Sequence, residues 1–285
     1  MKLTNDKRVL IVGLGLIGGS YAKALTKKGY HVSAITRSQS TIDYALKNGI
    51  IAEGSTQIDP QLIGNADILV FALYPQIFID WIKEHQRHMK PGAILTDVTG
   101  VKCSVVYEVQ KILRDDVEFI AAHPMAGKEV YGIENSDETI FQKANYIVTP
   151  TDKNTEEATL LCEQLGWELG FARVSRLTPE AHDDMIGFLS QLTHCIAISL
   201  MNCNDTPGME AYTGDSFRDL TRIARINDQM WADLFMRNRE LLLHHMDAFR
   251  QTFSTFRDML EEGNVEGMRE AMRRSTARRA LFDKK

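Results

Sequence analysis

The sequence predicts an α/β fold, a doubly wound, mostly parallel sheet, followed by an all-helical half. Short apolar runs alternate with helix-period segments through about the first 175 residues. A glycine-rich turn, Gly13-Leu14-Gly15-Leu16-Ile17-Gly18, joins the first such run to the first helical segment. From Thr178 onward the periodicity is almost wholly helical. The change of pattern divides the chain into residues 1–175 and 176–285.

Arg8 to Val12 is a short apolar strand, and a helical pattern runs on from the glycines through Leu25. This is G-x-G-x-x-G in the strand–turn–helix setting that dinucleotide binding requires. Gly13 permits the tight turn, Gly15 lets the backbone approach a pyrophosphate, and Gly18 lets helix and strand pack closely. The pyrophosphate would sit on the N-terminus of the helix, against Leu16 and Ile17. Residues 1–175 therefore read as a Rossmann-type dinucleotide-binding domain.

The second strand, His31 to Ile35, ends where an acidic residue commonly receives the adenosine ribose. Here it is followed by Thr36-Arg37-Ser38. No carboxylate repels a 2′-phosphate there, while a guanidinium and hydroxyls could bind one, so the chemistry leans to NADP. The alternative is NAD with a surface arginine nearby and Thr36 on the ribose.

Thr41 to Lys47 is helical, and Gly49 stops it. Asp67 to Leu73 is a buried strand that delivers Leu73 and Tyr74 to the cofactor side. Gln76 to Met89 is a helix, and Pro91-Gly92 a turn. Ala93 to Thr96 is the next strand, with Asp97-Val98-Thr99-Gly100-Val101-Lys102 at its end. Val117 to Ile120 is another apolar run. Pro124 cannot continue a central strand, which leaves His123 at the strand's end. Carboxyl ends of strands face the ligand crevice in such sheets, so Thr99, Lys102 and His123 share one lip. A histidine there can handle a proton near neutral pH. Asn145 to Thr149 is a strand, Thr155 to Leu165 a helix, and Trp167 to Val174 a last strand.

Thr178-Pro179-Glu180 is a helix start, a capping residue followed by proline. That helix runs past His182, Ser190 and His194 to about Asn202. Ser190 lies one turn before His194 and shares its face. No Asp or Cys stands at metal spacing around these histidines, so no metal site is read. Arg222 sits among apolar neighbours, and a partly buried arginine needs an anion. A later long helix carries Leu242, Met246, Phe249, Phe253, Phe256 and Leu260 at steps of four and three. That stripe is core or subunit interface, and an intertwined homodimer is expected from it, with a monomeric bundle as the alternative.

Composition narrows the function classes. The net charge is −5, and no basic patch with interleaved aromatics marks a nucleic-acid site. The four cysteines show neither a CxxC pair nor zinc-type spacing, which suits free thiols in a reducing cytoplasm. No cleavable leader precedes the first strand, and no uninterrupted apolar run approaches the ~18–20 residues of a membrane span. A cytoplasmic protein with a small-molecule substrate is expected.

The chain resembles the prephenate/arogenate dehydrogenases of tyrosine biosynthesis along nearly its whole length. The resemblance rests on Gly13 to Ser20, Asp97 to Lys102, His123-Pro124-Met125-Ala126-Gly127 with Glu129, Glu180-Ala181-His182-Asp183 through Ser190 and His194, and Phe217 to Ala224 with Trp231. It implies a hydride transfer to the nicotinamide coupled to loss of carbon dioxide, which turns prephenate into aromatic 4-hydroxyphenylpyruvate. In the roles it implies, His123 accepts or polarises the hydroxyl proton. Arg222 holds a substrate carboxylate, His194 and Ser190 contact the substrate, and Glu129 and Lys102 shape the site as further substrate-binding residues.

The sequence also departs from the family. Relatives often have serine where Gly100 stands, a role Thr99 could take over. Gln191 replaces a histidine, and Asp215 interrupts a glycine run. Some relatives append a regulatory domain; none is expected here, and on that expectation any feedback by tyrosine would act at the active site. Arogenate carries an ammonium that a pocket carboxylate would favour, and Leu189 before Ser190 is not acidic, so prephenate is the expected substrate. Arogenate dehydrogenase, a β-hydroxyacid or imine reductase of similar layout, and a non-catalytic NADP-binding sensor are the rival expectations.

Overall fold

A computed structural model describes residues 3–128 and 130–283. β1 (Arg8–Val12) alternates its side chains between two apolar clusters, Val9 and Ile11 into one, Leu10 and Val12 into the other. A strand covered on both faces must be apolar throughout, which is why this run is so plain in the sequence. α1 (Leu16–Lys27), β2 (His31–Ile35), α2 (Gln39–Lys47), β3 (Glu53–Ser55), α3 (Pro60–Asn65) and β4 (Ile68–Phe71) follow. Then come α4 (Pro75–His85), β5 (Ile94–Asp97), α5 (Cys103–Ile112) and β6 (Glu118–Phe119). The six strands form one parallel sheet in the order β3-β2-β1-β4-β5-β6. The strand order reverses between β1 and β4, the place where such sheets open a ligand crevice.

The chain leaves this sheet earlier than expected. β7 (Ala121–Pro124) starts a second, three-stranded sheet with β8 (Asn145–Thr149) and β9 (Arg173–Arg176). β7 is antiparallel to β8, with His123 opposite Ile147. His123 and Pro124 are the last two residues of β7, so His123 does stand at a strand's end, but in the second sheet, and Pro124 belongs to the strand. Pro124 is tolerated because β7 is an edge strand and its missing N–H costs no ladder bond. A second correction concerns Trp167, which belongs to α6 (Glu156–Glu168); the last strand begins only at Arg173.

α7 (Pro179–Ile186) is capped by Thr178, whose side chain accepts from the Ala181 N–H. It passes without a break through a π-helical turn, Gly187–Leu192, into α8 (Thr193–Asn202). By length and mean hydropathy alone, Pro179–Asn202 could cross a bilayer, although polar residues interrupt its apolar runs. It nevertheless carries His182, Asp183 and Gln191 buried and hydrogen-bonded to protein groups, as a helix of the fold does. α9 (Asp215–Thr221) and a 3-10 turn at Arg222–Ala224 precede α10 (Asp228–Arg237). Packing divides the chain after Asn238. Beyond it lie α11 (Arg239–Glu261) and α12 (Val265–Arg279), joined through Gly263 at φ +66°. On α11, Met246, Phe249, Phe253, Phe256 and Leu260 are all exposed in the single chain.

Candidate active site

Strand register brings the predicted cofactor residues to one edge. Val12 pairs laterally with Ile35 and with Phe71, and Phe71 pairs with Asp97. The segments that follow these four residues therefore emerge side by side: Gly13–Gly18, Thr36–Ser38, Leu73–Tyr74 and Asp97–Lys102.

The glycine turn fits a pyrophosphate. Gly13 has φ +94°, and a Cβ on it would stand 2.4 Å from the Ala72 carbonyl oxygen. A Cβ on Gly18 would stand 2.0 Å from the Gly13 oxygen, so helix and turn touch backbone to backbone. At Gly15 the space is open, with no described atom within 4 Å of a Cβ position. Gly15 is also the N-cap of α1 and offers no side-chain cap, so the first-turn amides, those of Leu16 and Ile17 included, can donate to a phosphate. Leu73 packs against the Gly13 turn, and Tyr74 is half exposed at the N-cap of α4. Ser38 caps α2 by accepting from the Thr41 N–H, at 3.3 Å. Arg37 is exposed and makes no ion pair or side-chain hydrogen bond among the described residues.

Beneath the lip lies a buried ion pair. The Lys102 Nζ donates to Asp97 Oδ1 and Oδ2 at 3.0 and 2.8 Å, to Thr99 Oγ1 at 3.2 Å and to the Ala122 oxygen at 2.5 Å. Neither charged side chain is solvent-accessible. Burial lowers the Lys102 pKa, and the Asp97 carboxylate opposes that shift. Two expectations are corrected here. Lys102 has no donor to spare for a substrate; it ties the end of β5 to β7. Thr99, 4% exposed, bonds Asp97 and the Val101 oxygen and so does not stand in for the family serine.

His123 belongs to a three-residue chain. Its Nδ1 lies 2.9 Å from His182 Nε2, and His182 Nδ1 lies 2.8 Å from Asp183 Oδ1. Asp183 also accepts the backbone N–H groups of Lys102 and Cys103, both at 2.8 Å. Burial favours protonation of Asp183, but the His182 bond, its charge and the two amides outweigh it, and the pKa is lowered. An ionised Asp183 can only accept, so neutral His182 carries its proton on Nδ1 and presents Nε2 as an acceptor. His123 must then donate from Nδ1, which leaves its Nε2 unprotonated. This is the tautomer a general base needs. Burial pushes the His123 pKa well below the ordinary value; the charge of Lys102, and that of His182 when it is protonated, add to this.

The remaining predicted residues separate. His194 donates from Nδ1 to the Ser190 oxygen at 2.8 Å, and its ring lies against Trp231 with centroids 3.8 Å apart. Ser190 is thus engaged through its backbone, within the π-helical turn. A Cβ on Gly100 would meet the Leu234 methyls at 3.8 Å and His123 Cε1 at 3.9 Å. Leu234 is three residues beyond Trp231 on α10, so one helix face runs from His194 to His123. Arg222 is exposed, so the burial inferred from its apolar neighbours is not found in the single chain. Glu129 lies outside the described residues. His182 and Asp183 carried no assigned role from the sequence; the signal was an adjacent His-Asp pair inside a helix.

Residues 21–174 match the family described as prephenate dehydrogenase, nucleotide-binding domain, and residues 178–274 match prephenate dehydrogenase, dimerization domain. The prephenate dehydrogenase of Bacillus subtilis is 28% identical over 269 residues, covering 91% of this chain and 72% of that protein. A cyclohexadienyl dehydrogenase of Zymomonas mobilis is 28% identical over 258 residues, covering 87% of this chain and 86% of that protein. Prephenate dehydrogenase from A. aeolicus, solved in complex with hydroxyphenyl propionate and NAD+, has a TM-score of 0.90 at 28% identity, covering 99% of this chain and 100% of that one.

Proposed function

The chain belongs to the prephenate dehydrogenase family, and on that premise we propose that it converts prephenate to 4-hydroxyphenylpyruvate by oxidative decarboxylation. The observation that carries this is the His123–His182–Asp183 chain, which leaves His123 Nε2 as a proton acceptor beside the nucleotide crevice. Bound dinucleotide supplies the hydride acceptor. His123 takes the proton from the ring hydroxyl as that carbon is oxidised, and loss of carbon dioxide leaves an aromatic ring. Desolvation keeps the base neutral, while His182 and Asp183 hold its ring and tautomer. His194 and Ser190 contact the substrate and Arg222 binds a substrate carboxylate; Glu129, outside the described residues, is kept as a substrate-binding candidate. Lys102 and Thr99 position the lip.

NADP is the preferred cofactor in this proposal, on the strength of exposed Arg37 beyond the end of β2 with no acidic residue beside it. NAD is the alternative; it is the nucleotide in the A. aeolicus complex. Gly13, Gly15, Leu16, Ile17 and Gly18 hold the pyrophosphate, and Thr36, Arg37, Ser38, Leu73 and Tyr74 line the rest of the cradle. We place the substrate-binding and dimerisation portion at residues 176–285, following the nucleotide-binding portion at 1–175 in sequence. The exposed apolar stripe of α11 supports a homodimer, and the free thiols of all four cysteines suit a cytoplasmic site.

Absorbance at 340 nm, with prephenate or arogenate offered against NAD or NADP in all four pairings, tests the reaction. Turnover of prephenate is the expected result. Turnover of arogenate alone would move the substrate assignment, and silence in all four pairings would overturn the proposal.

A further inference from the structure

The carboxyl end of α10 is held by an unusual pair of side chains. Near that end the Asn238 N–H bonds the Phe235 oxygen, at 3.3 Å, and not the oxygen of Leu234 four residues back. The Gln191 Nε2 takes that place, donating to the Leu234 oxygen at 3.1 Å. Asn238 Nδ2 donates to Gln191 Oε1 at 2.8 Å and to the Asp183 carbonyl oxygen at 2.9 Å. Both terminal carbonyls can only accept, so the orientation of each amide is determined by its partners. Gln191 is 1% exposed and Asn238 5%, so water does not compete with these bonds.

What this clamp holds is a wall of the active site. α10 carries Trp231 against the His194 ring and Leu234 beside Gly100 and His123 Cε1. The clamp also reaches Asp183, the residue that orders His182. Neither Gln191 nor Asn238 bonds to the glycine turn of the nucleotide cradle.

We propose that Gln191 and Asn238 are positioning residues for the substrate side of the site, acting by seating α10 against His194 and His123. The proposal rests on the dehydrogenase reading above. Gln191→Leu keeps the size and removes both hydrogen bonds; Gln191→Glu keeps the shape and turns the donor facing Leu234 into an acceptor. Each variant is expected to raise KM for prephenate by about tenfold or more, with KM for the nucleotide unchanged within about twofold. Gln191→His, which offers one donor and one acceptor, is expected to recover most of the loss. Titration with 4-hydroxyphenylpropionate gives a binding constant that needs no turnover and separates the two proposals. If the wild-type protein turns over neither substrate, the reaction assignment fails while the clamp is still tested by this constant. Unchanged substrate constants in the variants, or equal rises for substrate and nucleotide, would overturn the positioning role. Should Gln191→Leu not fold, Gln191→Glu and Asn238→Ser carry the same comparison.

Discussion

The Lys102 ammonium lies 2.8 Å from Asp97 Oδ2, and neither side chain reaches solvent. The pair fastens the end of β5 to β7, because Asp97 also accepts the Ala122 N–H while Lys102 donates to the Ala122 oxygen. Removing one member would leave the other charge buried alone, at a cost of about 3–5 kcal/mol. Lys102→Met should lose roughly that much stability in urea unfolding. The double variant with Asp97→Asn should lose less than Lys102→Met does, since no unpaired charge remains. A loss under about 1 kcal/mol for Lys102→Met would mean that the pair does not fasten the lip.

His123→Asn should lower kcat by about 10²–10⁴-fold with a small change in KM, as expected for a lost general base. The pH profile tests the same residue in the wild-type protein. The base works unprotonated, so activity falls as pH drops through its pKa, and that pKa is depressed by burial and by the neighbouring positive charges. The acid limb of kcat/KM should therefore fall below the ordinary histidine value of about 6.5. Stability should move the same way. The unfolded chain takes up the proton at a higher pH than the folded one, so stability declines as pH falls from about 6.5 toward the folded-state value. An acid limb at or above that ordinary value would contradict the buried-base assignment.

The parts of this protein legible in its sequence are those governed by local rules. β1, β2, β4 and β8 are short and apolar, and the glycine turn has fixed spacing, so each announces itself. β3 does not: Glu53-Gly54-Ser55 is a polar edge strand whose only cue is its neighbour β2. The break between β6 and β7 was hidden because one apolar run serves two sheets. The pairing of His123 with His182 spans 59 residues and has no periodic signature. The π-helical turn that holds Ser190 likewise leaves no mark in the pattern of apolar residues. For Arg222, apolar neighbours suggested burial, yet Leu220 is 54% exposed, so that part of the surface is not covered within one chain.

Gly15 and Gly18 should separate stability from cofactor binding. A methyl group on Gly18 would collide with the Gly13 oxygen at 2.0 Å, a backbone atom that cannot swing away. Gly18→Ala should cost more than about 2 kcal/mol in urea unfolding. Gly15 has an ordinary negative φ and open space at its Cβ position. Gly15→Ala should leave stability within about 0.5 kcal/mol. It should nonetheless weaken nucleotide binding, measured by fluorescence titration, because the methyl occupies room the phosphates need. Equal binding by the wild-type protein and Gly15→Ala would place the pyrophosphate elsewhere.

Arg222→Ala should raise KM for prephenate by about ten- to a hundredfold, the range of a lost charge-assisted hydrogen bond. The chain's own fold does not bury this arginine, so its removal should leave thermal unfolding nearly unchanged. An unchanged KM in steady-state kinetics would take Arg222 out of substrate binding.

Arg37 offers the sharpest test of cofactor choice, because it can be changed with little disturbance to the fold. It is exposed, and among the described residues its side chain bonds nothing, while its neighbour Ser38 is the cap of α2. A guanidinium there would gain a charge-assisted bond with a 2′-phosphate and nothing comparable with a ribose hydroxyl. Arg37→Ala should therefore raise KM for NADP by about ten- to a hundredfold and KM for NAD by no more than about twofold. Ser38→Ala should act differently. It removes the cap, costs about 1 kcal/mol of stability, and shifts the two nucleotides together if the α2 start moves. If Arg37→Ala instead weakens NAD and NADP by the same factor, the arginine acts on a part that both nucleotides share. The preference would then have to come from Thr36 or from the ribose side of the Gly13 turn.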